Sequence, residues 1–323
     1  MKLLSIVIPA YNEQDNIPIT TARVDELMKE QGIKYELIYV DDGSKDGTWE
    51  CLKNISLKYD TVNALRFSRN FGKEGAIFAG LKAAKGDACV IMDCDLQHPP
   101  ELMVQMYRIW EKNDIDVVEA RKSSRGKESI FYKVFAKSFY RLLHSTSGID
   151  LSGASDFKLL DRKVVDCLNQ MPERLTFFRA LSSWVGFKTE VIYFEVQPRL
   201  IGTSKWSFRN LFKLAVNSIT SFTNLPTQIV TICGMLFFIF SIVVGANTLI
   251  NYISGNAQEG FSTVILLLLI IGSIIMLSLG IIGHYLSKIY EEIKFRPRYL
   301  IAEEINITDI NTHNRKDDDV EVK

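Results

Sequence analysis

Two apolar segments near the C-terminus, Ile229–Ile253 and Ser262–Leu286, constrain this chain more than any other feature. Each is long enough to cross a hydrocarbon core of ~30 Å, and neither contains Lys or Arg. Consecutive segments of this kind are rarely soluble core helices, so two membrane-spanning helices are expected. The connector Ser254–Phe261 has no basic residue. Arg209 and Lys213 precede the pair, and Lys288, Lys294, Arg296 and Arg298 follow it. The positive-inside rule then puts both flanks in the cytoplasm and the connector outside. The expected organisation is a cytoplasmic domain over 1–228, a two-helix membrane domain over 229–287, and a basic cytoplasmic segment over 288–323. From about Glu303 the tail is polar and charged and is expected to be disordered.

Up to about Ala120 the chain alternates β-rich runs with helical stretches. The strand candidates are Leu3–Pro9, Tyr35–Val40, Val62–Phe67, Ala88–Met92 and Asp116–Ala120. The helix candidates are Ile17–Gln31, Thr48–Tyr59, Lys73–Ala84 and Pro100–Lys112. This rhythm predicts an α/β fold with a mostly parallel sheet covered on both faces. Leu3–Pro9 is too short for a secretory signal, and Asn12-Glu13-Gln14-Asp15 follows where a cleavage site would lie.

Composition removes several function classes. Lys plus Arg equals Asp plus Glu at 38 each, so no basic surplus points to nucleic acid. The five cysteines show no CxxC spacing and read as reduced thiols, and the four histidines are too scattered for a zinc site.

In parallel α/β folds ligands sit at the carboxyl ends of the strands. Polar clusters fall there: Tyr11-Asn12-Glu13 after the first strand, Asp41-Asp42-Gly43-Ser44 after the second, and Asp93-Cys94-Asp95 after the fourth. Taken alone, Asp41–Thr48 is an ordinary Asp/Gly turn with a helix cap. Together the clusters converge on one crevice. Two carboxylates one residue apart suit Mg2+ or Mn2+, hard ions that take carboxylate and phosphate oxygens. Such an ion neutralises a departing nucleoside diphosphate.

Two further stretches read as amphipathic interface helices. Within about 130–143, Lys133, Lys137 and Arg141 form a stripe beside Phe131, Phe135 and Phe139. Within about 206–222, Arg209 and Lys213 continue the spacing of Lys205 beside Trp206, Phe208 and Phe212. Either could lie on an anionic membrane surface or pack on the domain with a solvated basic edge.

Val7-Ile8-Pro9-Ala10-Tyr11-Asn12-Glu13, Val40–Thr48, Arg69-Asn70-Phe71-Gly72-Lys73 and Asp93–Pro99 resemble, in order, the motifs of family 2 GT-A glycosyltransferases. Arg199–Trp206, Ser183–Gly186 and Ile289–Lys294 are similar to the polyprenyl-phosphate (bactoprenol) branch, related to dolichol-phosphate mannose synthase. The resemblance spans roughly residues 3–300. It implies a GT-A nucleotide-sugar-binding domain and an inverting transfer of a hexose, glucose or N-acetylhexosamine, from a UDP-sugar to undecaprenyl phosphate. Pro9, Tyr11, Glu13, Val40, Asp42, Asp93 and Cys94 would hold the nucleotide sugar, with Tyr11 against the base. Asp93, Asp95 and Gln97 would hold the metal. Arg121, Arg199 and Lys205 would meet phosphates. Asp95 and Asp156 would be catalytic. Asp156 matches the acid of a Gly-Asp-Phe-Arg segment, with Ser155 and Lys158 in place of the glycine and arginine. It is either a base or an orienting group, since a lipid phosphate is already largely anionic near neutrality. Implied partners are the lipid bilayer, a flippase, a downstream transferase and further copies of the chain.

Two rivals remain on sequence. A processive polysaccharide synthase would share the core, but its Gln-x-x-Arg-Trp motif is missing; Gln197-Pro198-Arg199 does not match. An inactive nucleotide-sugar-binding scaffold would not need the intact acid pair.

Overall fold

A computed structural model describes residues 2–112, 114–122, 154–171, 177–194, 225–254 and 260–307. The strands are β1 (Leu3–Ala10), β2 (Lys34–Asp41), β3 (Val62–Phe67), β4 (Ala88–Ile91), β5 (Val117–Lys122), β6 (Lys158–Asp161), β7 (Thr189–Phe194) and β8 (Ile301–Ile305). The helices are α1 (Asn16–Glu30), α2 (Thr48–Ser56), α3 (Lys73–Ala83), α4 (Glu101–Lys112), α5 (Arg162–Gln170), α6 (Phe178–Trp184), α7 (Leu225–Ile253) and α8 (Phe261–Ile293).

The strands form one sheet in the order β7-β5-β6-β4-β1-β2-β3-β8. Its centre, β4-β1-β2-β3, is parallel, as the strand–helix alternation predicts. β1 and β4 are near-continuous apolar runs because helices cover both their faces. Leu4, Ile6, Ile8, Val90 and Met92 are fully buried. On the far side of β4, β6 runs antiparallel to both β4 and β5, and β7 returns parallel to β5.

α3 is apolar almost all round and lies hard against the sheet. A Cβ at Gly80 would come within 2.2 Å of Val7 Cγ1, so glycine permits the close approach. That contact holds α3 with its N-terminus, and Lys73, at the carboxyl ends of β1 and β4.

The expectation of a disordered tail from Glu303 is wrong at its start. Ile301–Ile305 pairs antiparallel with β3, and the Trp49 indole N–H donates to Glu303 Oε2 at 2.9 Å. Arg66 Nη1 lies 2.8 Å from Glu303 Oε1. The two glutamates hid a strand whose ends are apolar and whose edge pairing supplies the backbone partners. Residues 308–323 lie outside the described residues, as do the expected interface helices over 130–143 and 206–222.

The chain divides into two compact units. The first holds the sheet and includes the segment from Arg296 onward, so residues after the last helix return to it. The described part of the second is α7 and α8, and α8 runs beyond the expected boundary at residue 287. Both helices are long and apolar enough to cross a membrane, with mean hydropathy 2.2 over Val230–Asn247 and 1.8 over Ile270–Ile293. Large side chains such as Met235, Phe238 and Leu277 are exposed. A contiguous apolar surface of that kind is rare in contact with water.

Candidate active site

Parallel pairing brings three strand ends to one rim. Ala10 is in register with Asp41, and Val7 with Ile91, so the loops after β1, β2 and β4 leave the sheet together. Hydrogen bonds lock the first two loops. The Asn12 N–H donates to Ser44 Oγ at 2.9 Å, Lys45 N–H to Asn12 Oδ1 at 3.0 Å, and Glu13 N–H to Thr48 Oγ1 at 2.9 Å. Thr20 ties the third loop to α1 by donating to the Cys94 carbonyl at 2.7 Å.

Asp42 has a structural task on this rim. Its buried carboxylate accepts the Phe71 N–H at 2.6 Å and the Gly72 N–H at 2.9 Å. Burial raises its pKa, and those two N–H groups oppose the rise. Gly43 beside it has φ +66°, and a Cβ there would fall 2.5 Å from the Arg69 carbonyl carbon. Asp42 and Gly43 thus clamp the Arg69–Gly72 loop that feeds α3.

The acids meet by register. Ile91 opposes Lys158 across the antiparallel β4–β6 pair, so two residues further along Asp93 faces Asp156. Glu119 opposes Lys158 across β5–β6, which brings Arg121 to the same level. Between the two aspartates sits Lys73, with Nζ 2.5 Å from Asp93 Oδ1 and 2.8 Å from Asp156 Oδ2. Arg179, from the start of α6, grips Asp156 with Nε at 2.7 Å from Oδ1 and Nη2 at 2.9 Å from Oδ2. Burial pushes the Asp93 and Asp156 carboxyls up, but the cations win. Lys73 and His98 hold Asp93 below its ordinary value, and Lys73 with Arg179 hold Asp156 far below it. Burial works against the Lys73 ammonium, yet Asp156 and Asp93 keep it above its ordinary value. Glu74 accepts the Phe178 N–H at 2.8 Å; burial first, then the Asp156 charge, push its carboxyl up to about 7.

Over residues 5–168 the sequence matches the profile of Glycosyl transferase family 2. The chain belongs to that family. It is 38% identical over 308 residues to the uncharacterized glycosyltransferase YkcC of Bacillus subtilis, covering 94% of each chain. It is 35% identical over 300 residues to the prophage bactoprenol glucosyl transferase homolog of Escherichia coli, covering 92% of this chain and 98% of that one. It is 34% identical over 303 residues to the bactoprenol glucosyl transferase of Shigella phage SfV, covering 93% and 98%. The protein is a glycosyltransferase, and its mostly parallel α/β sheet is the GT-A arrangement that the resemblance implied.

Within this glycosyltransferase the residues named from sequence divide into four groups. Pro9, Tyr11, Glu13, Asp42, Asp93, Asp95 and Gln97 lie on the rim or in its loops, and Asp156 joins them from two residues before β6. Tyr11 is 37% exposed, so its ring is open to a ligand. Asp95 Oδ1 accepts the Gln97 N–H at 3.2 Å in a tight turn. Val40 and Cys94 do not line the crevice with their side chains. Val40 is wholly buried and Cys94 sits in the core cluster, because an apolar side chain next to a polar loop is drawn inward. Arg121 is held by Glu119 at 3.1 Å. Arg199 and Lys205 lie outside the described residues. Among the described residues no group of three or more His, Cys, Asp or Glu side chains is arranged to hold a metal.

Lys73, Glu74 and Arg179 are the functional candidates that sequence reading left without roles. Lys73 ends the Arg69–Lys73 motif, which was a visible signal. Arg179 is far along the chain from the acid it grips, and no local pattern marks it. Lys158, which stands for the motif arginine, turns away from this cluster: it lies in the core, 2.9 Å from Ser182 Oγ and 3.2 Å from Glu119 Oε1.

Proposed function

We propose that this glycosyltransferase moves a hexose from a UDP-sugar to polyprenyl phosphate, undecaprenyl phosphate in particular, at the cytoplasmic face of a membrane. One observation carries the reading. An acid pair at the carboxyl end of a central strand faces a cation-bound aspartate, in a chain that also has two helices of membrane-crossing length. The relatives named as bactoprenol glucosyl transferases supply the acceptor class and glucose as the leading sugar. The absence of basic residues between the spans, with Lys and Arg on both flanks, supports a two-pass chain with a cytoplasmic catalytic unit over 1–228.

The donor set fits a hard divalent cation. Asp93 Oδ1 already holds one positive charge, that of Lys73, and its side chain is 33% exposed, so a soluble ion can reach it. Asp93, Asp95 and the Gln97 amide oxygen would hold Mg2+ or Mn2+. Such an ion would neutralise charge on the leaving diphosphate. Tyr11, Pro9, Glu13 and Asp42 frame the nucleoside pocket, Tyr11 through its exposed ring and Asp42 through the loop it clamps. Arg121, with Arg199 and Lys205, would meet the phosphates.

An acceptor phosphate oxygen attacks the anomeric carbon as the carbon–oxygen bond to UDP breaks. Direct displacement inverts the centre and gives a β-linked lipid-phosphate sugar. The acceptor has a second pKa of ≈ 6, so it needs alignment more than proton removal. Both Asp156 oxygens are taken by Arg179 and Lys73, and its carboxyl is held far below the ordinary range. Its role in this reading is to hold those cations, not to accept a proton. The product would pass to a flippase and an outward-facing transferase, and the enzyme would act as a homo-oligomer.

The test uses full-length protein in membranes with undecaprenyl phosphate and a panel of radiolabelled nucleotide sugars. One sugar should appear in a lipid-linked product, and excess chelator or Asp93→Asn should abolish it. Transfer that survives chelator, or no lipid product with any donor, overturns the proposal.

A further inference from the structure

We infer that Lys73 and the divalent cation compete for one atom, Asp93 Oδ1, so that ion and donor bind together rather than one after the other. This deepens the metal reading above and rests on it.

The backbone of Lys73 is fixed from behind. Gly72 takes φ +96°, a conformation that favours glycine, and its N–H is held by Asp42. From that anchored start of α3 the side chain reaches two acceptors, Asp93 Oδ1 at 2.5 Å and Asp156 Oδ2 at 2.8 Å. The two acceptors are unlike. Asp156 is almost fully buried and pinned by Arg179, so it is a permanent holder for the ammonium. Asp93 opens to solution and belongs to the acid pair suited to an ion.

A divalent cation on Asp93 would need that carboxylate at about 2.0–2.6 Å. An ammonium hydrogen-bonded to the same oxygen would then sit within a few ångströms of a double positive charge. Repulsion at that range in a partly screened site is large, so both cations cannot stay on Asp93. The ion must push Lys73 off Asp93 while Asp156 keeps hold of it. The displaced ammonium then has hydrogen-bonding capacity to give, and a diphosphate on the ion is the matching acceptor. Lys73 therefore weakens ion binding in the absence of donor and strengthens it in its presence. That is a coupling between two ligands, and it is reciprocal.

The experiment measures Mn2+ binding to the full chain in detergent by the electron paramagnetic resonance signal of the free ion, with and without UDP. Lys73→Met removes the competing charge and keeps the length. It should tighten Mn2+ binding about tenfold without UDP and shrink the enhancement that UDP produces. Lys73→Arg keeps the charge and should behave as wild type. Binding that Asp93→Asn abolishes, but Lys73→Met leaves unchanged or weakens, overturns the inference alone. Wild-type protein whose Mn2+ binding does not depend on Asp93 overturns the inference and the metal reading together. A measurement on unaltered protein guards against a misfolded variant. Reductive methylation of Lys73, followed by mass spectrometry, should speed up when Mn2+ is added, and an unchanged rate also refutes the competition.

Discussion

Replacing Asp156 with Asn separates a positioning acid from a proton acceptor. The carboxylate makes three short charge-assisted hydrogen bonds, at 2.7, 2.8 and 2.9 Å, to Arg179 and Lys73. Removing one partner of a buried ion pair commonly costs about 3–5 kcal/mol, because the remaining charge is left unpaired. Here that figure is an upper bound. The Arg179 and Lys73 side chains are 31% and 41% exposed and regain water, Lys73 keeps Asp93, and an amide oxygen still accepts one bond. A loss of about 2 kcal/mol follows, or roughly 4–8 °C in Tm for a catalytic unit of this size. Thermal unfolding in detergent, followed by tryptophan fluorescence, measures it, and transfer is assayed on the same sample. The pH dependence has a definite sign. The Asp156 carboxyl is lowered on folding, so its contribution is complete above the unfolded carboxyl pKa of ≈ 3.9 and fades only as pH falls below that. The gap between wild type and Asp156→Asn should therefore close in acid, and it should also narrow as pH rises toward 7, because the Asp156 charge raises the Glu74 carboxyl and the variant relieves it. Activity should fall along with stability. A variant that loses transfer while keeping wild-type Tm would make Asp156 a chemical group and refute the clamp.

Glu74 titrates in the opposite sense. Its carboxyl is pushed up to about 7, so its favourable contribution is full below the unfolded value of ≈ 4.3 and is lost as pH rises through 7. Glu74→Gln, which still accepts the Phe178 N–H, should gain Tm relative to wild type as pH is raised from about 5 to 8, and a constant difference would contradict the assignment. Gly43→Ala should cost about 2–4 kcal/mol and depress transfer, because its Cβ would meet backbone atoms of Arg69 and Asn70 at 2.5–2.9 Å. Gly32→Ala is the control: φ is +63° there too, but nothing lies within 4 Å, so it should cost about 1 kcal/mol and leave transfer intact.

What could be read from sequence follows the range of the interactions involved. β1, β2, β3 and β4 are apolar runs between turn residues, and their hydrophobic pattern is local, so the parallel centre was legible. So were the polar clusters at their ends and the two long apolar helices. β8 was missed because Ile301-Ala302-Glu303-Glu304-Ile305 has two adjacent charges. Its strand character comes from pairing with β3 and from Trp49 and Arg66, residues more than two hundred positions away. Val40 and Cys94 were placed in the pocket by their motifs, yet both side chains are buried: β2 is covered on both faces at Tyr39 and Val40, and Cys94, in the turn after β4, packs into the core. The cluster at the site shows the same division. Asp93 and Asp95 announce themselves by spacing, whereas Arg179 meets Asp156 only because antiparallel register sets Asp156 opposite Asp93 and α6 starts beside it. Sequence reading therefore finds the carboxylates that could bind an ion and misses the cations that set their charge. Those cations decide whether Asp156 can act as a base, and they become visible only when the strands are laid side by side.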